Sequence, residues 1–381
     1  MRFALAGARV FDGVRLIDDH AVVVDGARIE SLVARRDLPA GIVTHAVTGL
    51  LAPGFIDVQV NGGGGVLFNA QRTADGIATI GAAHRRYGTT GFLPTLITDT
   101  REHMAEAVAA TRAAIERGVP GVLGVHLEGP FLNPERKGVH DPALMRPMDE
   151  ADIAIAASLG VGRMLVTLAP ERVSTDVIER LTRAGVVVSA GHTTADYETI
   201  VAAFAAGLTG FTHLFNAMPP LAGRAPGPVG AALDNVDAWC GIIVDLHHVS
   251  AVSLRVALAA KGWQRMMLVT DAMPSVGSDK SSFDLLGRTI TRRDGKLTTD
   301  DGTIAGSDLD MAAAVRNTIE HLGMPLEAAL HMASRAPAEF LRLGDELGRI
   351  APDYRANLVL LDDDLEVVET WIDGAASRAV A

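Results

Sequence analysis

The chain has 381 residues, 48% hydrophobic and 21% charged, enough apolar material for a large core, which excludes general disorder. Its 46 acidic against 34 basic side chains give a formal charge of −12, which argues against nucleic acid or an anionic membrane as the main partner. The single cysteine, Cys240, excludes an internal disulfide and points to a reducing cytoplasm.

The apolar stretch before Arg9 is too short for a secretory signal. Ala21–Val24 and Arg28–Val33 flank Asp25-Gly26, a hairpin signal. The other end reads similarly, with Asn357–Leu361, a turn rich in Asp, and Glu366–Ile372. Neither end has strands enough for its own core, so residues 1–53 and 344–381 are expected to pair as one small β-sandwich. That leaves residues 54–343 as an inserted domain.

Within the insert, short β-branched runs alternate with longer helical stretches, the pattern of βαβ units. Eight strands are predicted: Phe55–Val60, Gly91–Thr95, Val122–Leu127, Met164–Leu168, Val186–Ala190, Thr209–His213, Cys240–Val244 and Met266–Thr270. Eight units predict a (β/α)8 TIM-like barrel. A doubly wound open sheet is the alternative, but the glycine run Asn61–Gly65 fits neither a dinucleotide nor a P-loop spacing. The uncharged run Thr199–Gly223 is long enough for a membrane span, yet Gly207, Gly210, His213, Asn216, Pro219 and Pro220 interrupt it, so no membrane segment is expected. Residues 275–306 are polar, with turn signals, and fit either a lid hairpin or extra strands of the small domain.

In a barrel, residues just past the C-terminal strand ends converge on one site. Here they are Gln59, Asn61, Thr95, Glu128, Glu171, His192, His213, His248 and Asp271. Glu128, His192 and His213 make a carboxylate plus two imidazoles, a set suited to a catalytic Zn²⁺ or Fe²⁺. Asp271 beside such an ion is placed to act as acid and base. His20, His45, His84, His103, His321 and His331 read as surface or structural residues.

The motifs Pro53-Gly-Phe-Ile-Asp57, His126-Leu-Glu-Gly-Pro-Phe131, Lys137-Gly-Val-His140, Gly191-His192-Thr193, Thr212-His-Leu-Phe-Asn-Ala-Met218 and Thr270-Asp-Ala272 resemble the N-acetylglucosamine-6-phosphate deacetylase family of the amidohydrolase superfamily. The resemblance covers nearly the whole chain. It implies hydrolysis of N-acetylglucosamine 6-phosphate to glucosamine 6-phosphate and acetate, with Glu128, His192 and His213 as metal ligands and Asp271 as acid/base. It further implies that His140 polarises the acetamide carbonyl. Asn216, Ala217 and His248 would hold the sugar phosphate, and Arg224 would reach the phosphate of a neighbouring subunit in a homodimer. Many superfamily members carry His-x-His after the first strand, where this chain has Gln59-Val60-Asn61. Amides are poor partners for Zn²⁺ beside imidazole, so one divalent ion per subunit is expected. No lysine ends the fourth strand, so a bridging carbamate is not expected either. The galactosamine epimer or a cyclic imide are the rival substrates. A non-catalytic sugar-phosphate binder is a further rival, which the complete ligand set and Asp271 argue against.

Overall fold

The computed structural model describes residues 1–378. Eight parallel strands pair in chain order: β1 (Phe55–Val60), β2 (Thr89–Ile97), β3 (Gly124–Glu128), β4 (Arg163–Leu168), β5 (Val187–Ala190), β6 (Gly210–Phe211), β7 (Trp239–Ile242) and β8 (Met266–Leu268). A bridge from Val60 to Ala272 joins the last segment to the first and completes the barrel. All but one of these strand residues are buried, as strands covered by helices outside and by side chains within should be. Three strands stop short of their predicted ends, at Phe211 rather than His213, at Ile242 rather than Val244 and at Leu268 rather than Thr270. The chain turns left-handed just beyond the first and the last of these, at His213 (φ 31°) and Asp271 (φ 54°), which ends the extended ladder.

Most crossover helices start where the sequence supplies an oxygen for their first free amides; helix 227–234, led by Pro226, is an exception. Thr73, Thr100, Asp149, Ser174, Asp196, Ser250 and Asp310 each accept from a backbone N–H one turn into the helix that follows. The helices pack onto the barrel through one large apolar core, which includes Phe92, Phe211, Ile242 and Phe340.

The two chain ends form two further sheets. One holds strands 2–6, 20–25, 28–34 and 43–46; the other interleaves strands 9–11, 16–17 and 50–53 with 358–361, 367–372 and 375–378. Phe3, Leu5, Val22 and Leu51 share a core with Leu358, Leu360 and Trp371, so both ends contribute to one packed interior. The first hairpin is built as expected, with Asp25 paired to Arg28, which sets its two-residue loop at Gly26-Ala27, one position on. Residues 275–306 join neither sheet. They contain a separate three-stranded antiparallel sheet, 282–285, 288–293 and 296–298, whose Leu285, Ile290 and Leu297 pack on Leu67, Ile97 and Met273 at the barrel mouth.

Candidate active site

The strand ends bring Glu128, His192 and His213 together. Glu128 Oε1 lies 3.1 Å from His192 Nε2 and 2.9 Å from His213 Nε2, and the two imidazole nitrogens are 3.1 Å apart. His192 Nδ1 is 2.7 Å from the carbonyl oxygen of Arg136, which can only accept, so Nδ1 carries the proton and Nε2 presents a lone pair. A lone pair aimed at a carboxylate oxygen and a second imidazole nitrogen at this spacing is repulsive unless a cation lies among them. Tetrahedral coordination with bonds of about 2.0–2.1 Å separates ligand atoms by about 3.3–3.4 Å, close to the triangle observed. The three side chains therefore fit a divalent ion, and His192 has the carbonyl partner that commonly orients a ligating imidazole. His140 also offers a nitrogen within 4.8 Å of a carboxylate oxygen of Glu128 and a ring nitrogen of His192, although the tighter triangle is with His213.

Burial opposes ionisation of Glu128, but its contacts with the imidazoles of His192 and His213 outweigh it and hold the carboxyl well below the usual range. Its other oxygen, Oε2, accepts from Gln59 Nε2 at 3.1 Å. The same amide nitrogen donates to Asp271 Oδ1 at 3.0 Å, and Asn61 Nδ2 donates to that oxygen at 2.6 Å. Gln59 and Asn61 thus stand as amide donors to the carboxylates. Both donors go to Oδ1 of Asp271, which leaves Oδ2 for the cavity. Burial, reinforced by the negative charge on Glu128, pushes Asp271 up to about 6. That value suits a group that must take and return a proton near neutral pH.

His140 is buried, and burial pushes it down to about 3, so it is neutral. The backbone N–H of Thr98 donates to its Nδ1 at 3.3 Å, and Thr98 Oγ1 lies 2.8 Å from the same atom. An Nδ1 that accepts leaves the proton on Nε2, so His140 is a fixed neutral donor. Its ring lies 4.4 Å from that of His192. His248 places Nδ1 2.6 Å from Asp245 Oδ2. These groups border one cavity of about 160 Å³, with Asn216 and Ala217 on its rim.

Residues 50–376 match the amidohydrolase family, and residues 2–51 match the NagA composite domain. The chain belongs to the amidohydrolase family. Across 327 residues, 86% of this chain and 83% of the relative, this amidohydrolase is 45% identical to the N-acetylgalactosamine-6-phosphate deacetylase of Shewanella sp. (strain ANA-3). It is 37% identical over 379 residues to the N-acetylglucosamine-6-phosphate deacetylase of Homo sapiens, covering 95% of this chain and 89% of that one. The crystal structure of N-acetylglucosamine-6-phosphate deacetylase from Pasteurella multocida superposes with a TM-score of 0.96 at 33% identity, over 99% and 100% of the two chains.

Three residues singled out from the sequence lie elsewhere. Thr95 is buried in the barrel, its hydroxyl accepting from Val60 N at 2.9 Å. Glu171 accepts from Thr193 Oγ1 (2.5 Å), Thr194 N (2.7 Å) and Asn133 Nδ2 (2.8 Å), and so anchors the loop after β5 rather than facing the cavity. Arg224 is exposed on a turn bridged from Ala222 to Ala225 and does not border the cavity of its own chain. Sequence reasoning missed Thr98 and the cavity residues Ile97, Val139, Met273 and Ile304. Thr98 carries no signal of its own; its place one residue past β2 is the only pointer.

Proposed function

We propose that this amidohydrolase removes the acetyl group from an N-acetylhexosamine 6-phosphate, with N-acetylglucosamine 6-phosphate as the principal substrate. The observation that carries the reading is the Glu128/His192/His213 triangle beside a carboxylate and a neutral imidazole donor. The three ligands would hold one divalent ion, Zn²⁺ or Fe²⁺, which when bound supplies Lewis acidity. Asp271, with Oδ1 held by Gln59 and Asn61, takes the proton of the attacking water on Oδ2 and delivers it to the leaving nitrogen. His140 Nε2–H donates to the carbonyl oxygen as negative charge develops there. His248, held by Asp245, receives the sugar phosphate together with the amide of Asn216 and the backbone at Ala217.

Arg224 supplies a further cation, we propose, to the phosphate bound by a partner copy in a homodimer. Its exposure, on a turn a few residues beyond Asn216 and Ala217, supports that reading. A net charge of −12 makes such a local cation valuable to a dianionic substrate. We take residues 1–53 with 344–381 as the small domain, residues 54–343 as the catalytic one, and the cytoplasm as the compartment. Among the described residues no helix is long and apolar enough to cross a membrane. The 45% identity to a relative named for the galactosamine epimer favours a second reading, in which that sugar is preferred. Acetate release from both 6-phosphates, measured on the metal-loaded protein, tests the proposal: activity on neither refutes it, and the ratio of the two assigns the epimer.

A further inference from the structure

The cavity lining is of two chemical kinds. His248 and Asn216 are among its polar members, whereas Ile97, Val139, Met273 and Ile304 make an apolar wall. Ile97 and Met273 are buried in the small core that fastens the three-stranded insert to the barrel mouth, with Val139 packed against it. Ile304 belongs to the returning arm of the insert, bridged to Thr298, and is only half-buried.

The attachments of this wall put it between the two groups that would handle the scissile amide. Ile97 directly precedes Thr98, whose backbone and hydroxyl fix His140. Met273 follows Asp271 by two residues, and its amide donates to Ser307 while Ser307 donates back to Asp271, drawing the arm beyond Ile304 in beside the carboxylate. An acetamide carbon carries three substituents in one plane: oxygen, nitrogen and methyl. With oxygen toward His140 and nitrogen toward Asp271, the methyl is left facing the remaining side, and a methyl is best placed against apolar surface.

We infer that this wall is an acyl pocket, and that Ile304, delivered by the insert, sets the size of the acyl group accepted. The inference rests on the deacetylase reading and adds to it the chemical class of the acyl group: short, unbranched and uncharged. An extra methylene commonly changes selectivity in an apolar pocket by roughly 10–200-fold.

The test compares N-acetyl- and N-propionyl-glucosamine 6-phosphate on the metal-loaded wild type, Ile304→Val and Ile304→Ala, reading kcat/KM for each substrate. Wild type should favour the acetyl substrate by at least about 10-fold. The propionyl-to-acetyl ratio should rise a few-fold in Ile304→Val and about 10-fold or more in Ile304→Ala. A ratio unchanged in both variants, with far-UV circular dichroism as in wild type, overturns the acyl pocket while leaving the deacetylase reading intact. A wild type that releases acetate from neither hexosamine epimer overturns the deacetylase reading itself, and the pocket with it.

Discussion

Replacing Asp271 by Asn separates the chemistry of the site from its architecture. Asn keeps an oxygen at Oδ1, so the donors Gln59 Nε2 and Asn61 Nδ2 keep their acceptor, while the group facing the cavity becomes an amide that cannot take a proton. Glu128, His192 and His213 are untouched, so metal content should equal that of wild type. Loss of a general acid–base typically costs about 10²–10⁴-fold, and the loss should fall on kcat rather than KM. A second consequence concerns stability. Asp271 is raised from 3.8 to about 6 by burial and by Glu128, so the folded protein holds its proton over a range where the unfolded chain has released it. Stability therefore falls as pH rises from about 4 to about 6, and the ionised carboxylate remains a cost above that. Two pKa units at about 1.4 kcal/mol each bound that cost at about 3 kcal/mol for the metal-free protein. Metal-free Asp271→Asn should match wild type in urea unfolding near pH 4 and exceed it by up to about 3 kcal/mol near pH 8. Two results would refute this reasoning: a variant that keeps most of its turnover, or one that is less stable than wild type at pH 8.

Elemental analysis after gentle dialysis should find one divalent ion per chain, because Gln59 and Asn61 are spent as amide donors to Glu128 and Asp271; two tightly held ions would contradict this. Thr98→Val removes the hydroxyl 2.8 Å from His140 Nδ1 and should lower kcat about 2–10-fold, the range of one hydrogen bond, with little change in KM, whereas Thr98→Ser should restore it. An unaltered kcat in Thr98→Val would show that the backbone N–H alone orients the ring. Arg224→Ala should raise KM strongly for the 6-phosphate and leave the weak reaction of the unphosphorylated sugar unchanged. Heterodimers of Arg224→Ala with Asp271→Asn subunits should regain part of the activity, and verified heterodimers without activity would mean that each chain completes its own phosphate site.

Much of the fold was legible because burial imposes pattern. The run at Cys240–Val244 is a continuous apolar strand and Val122–Leu127 is interrupted only by His126, and the helices that follow them announce themselves with the caps Ser250 and Asp149. What was not legible depends on contacts between distant segments. Glu171 has the same credentials in sequence as Glu128, an acid just past a strand. Only the hydroxyls and amides of Asn133, Thr193 and Thr194 divert it to structural work. Residues 275–306 lack a strong period because they build a sheet exposed on one side, whose few apolar residues face the barrel mouth rather than a domain core. Their proximity to the cavity is a property of the return at Ser307, which no local pattern encodes.

The backbone at the strand ends explains why these particular histidines and this aspartate form the site. His192, His213 and Asp271 all adopt left-handed φ, of 49°, 31° and 54°, a conformation that a non-glycine residue holds only where surrounding structure fixes it. Here the fixing contacts are specific. His192 is tied through Nδ1 to Arg136 O, the amide after His213 donates to Gly241 O in the next strand, and Asp271 N donates to Gln59 O in the first. Each contact reaches across to a different segment, so the strained turns are held by the closed barrel and not by their own sequence. Glycine would relax all three turns but carries no ligand or base. The barrel thus holds in place a conformation whose only gain is the inward aim of the side chain. That ties the precision of the 2.9–3.1 Å triangle to the closure of the sheet at Val60 and Ala272.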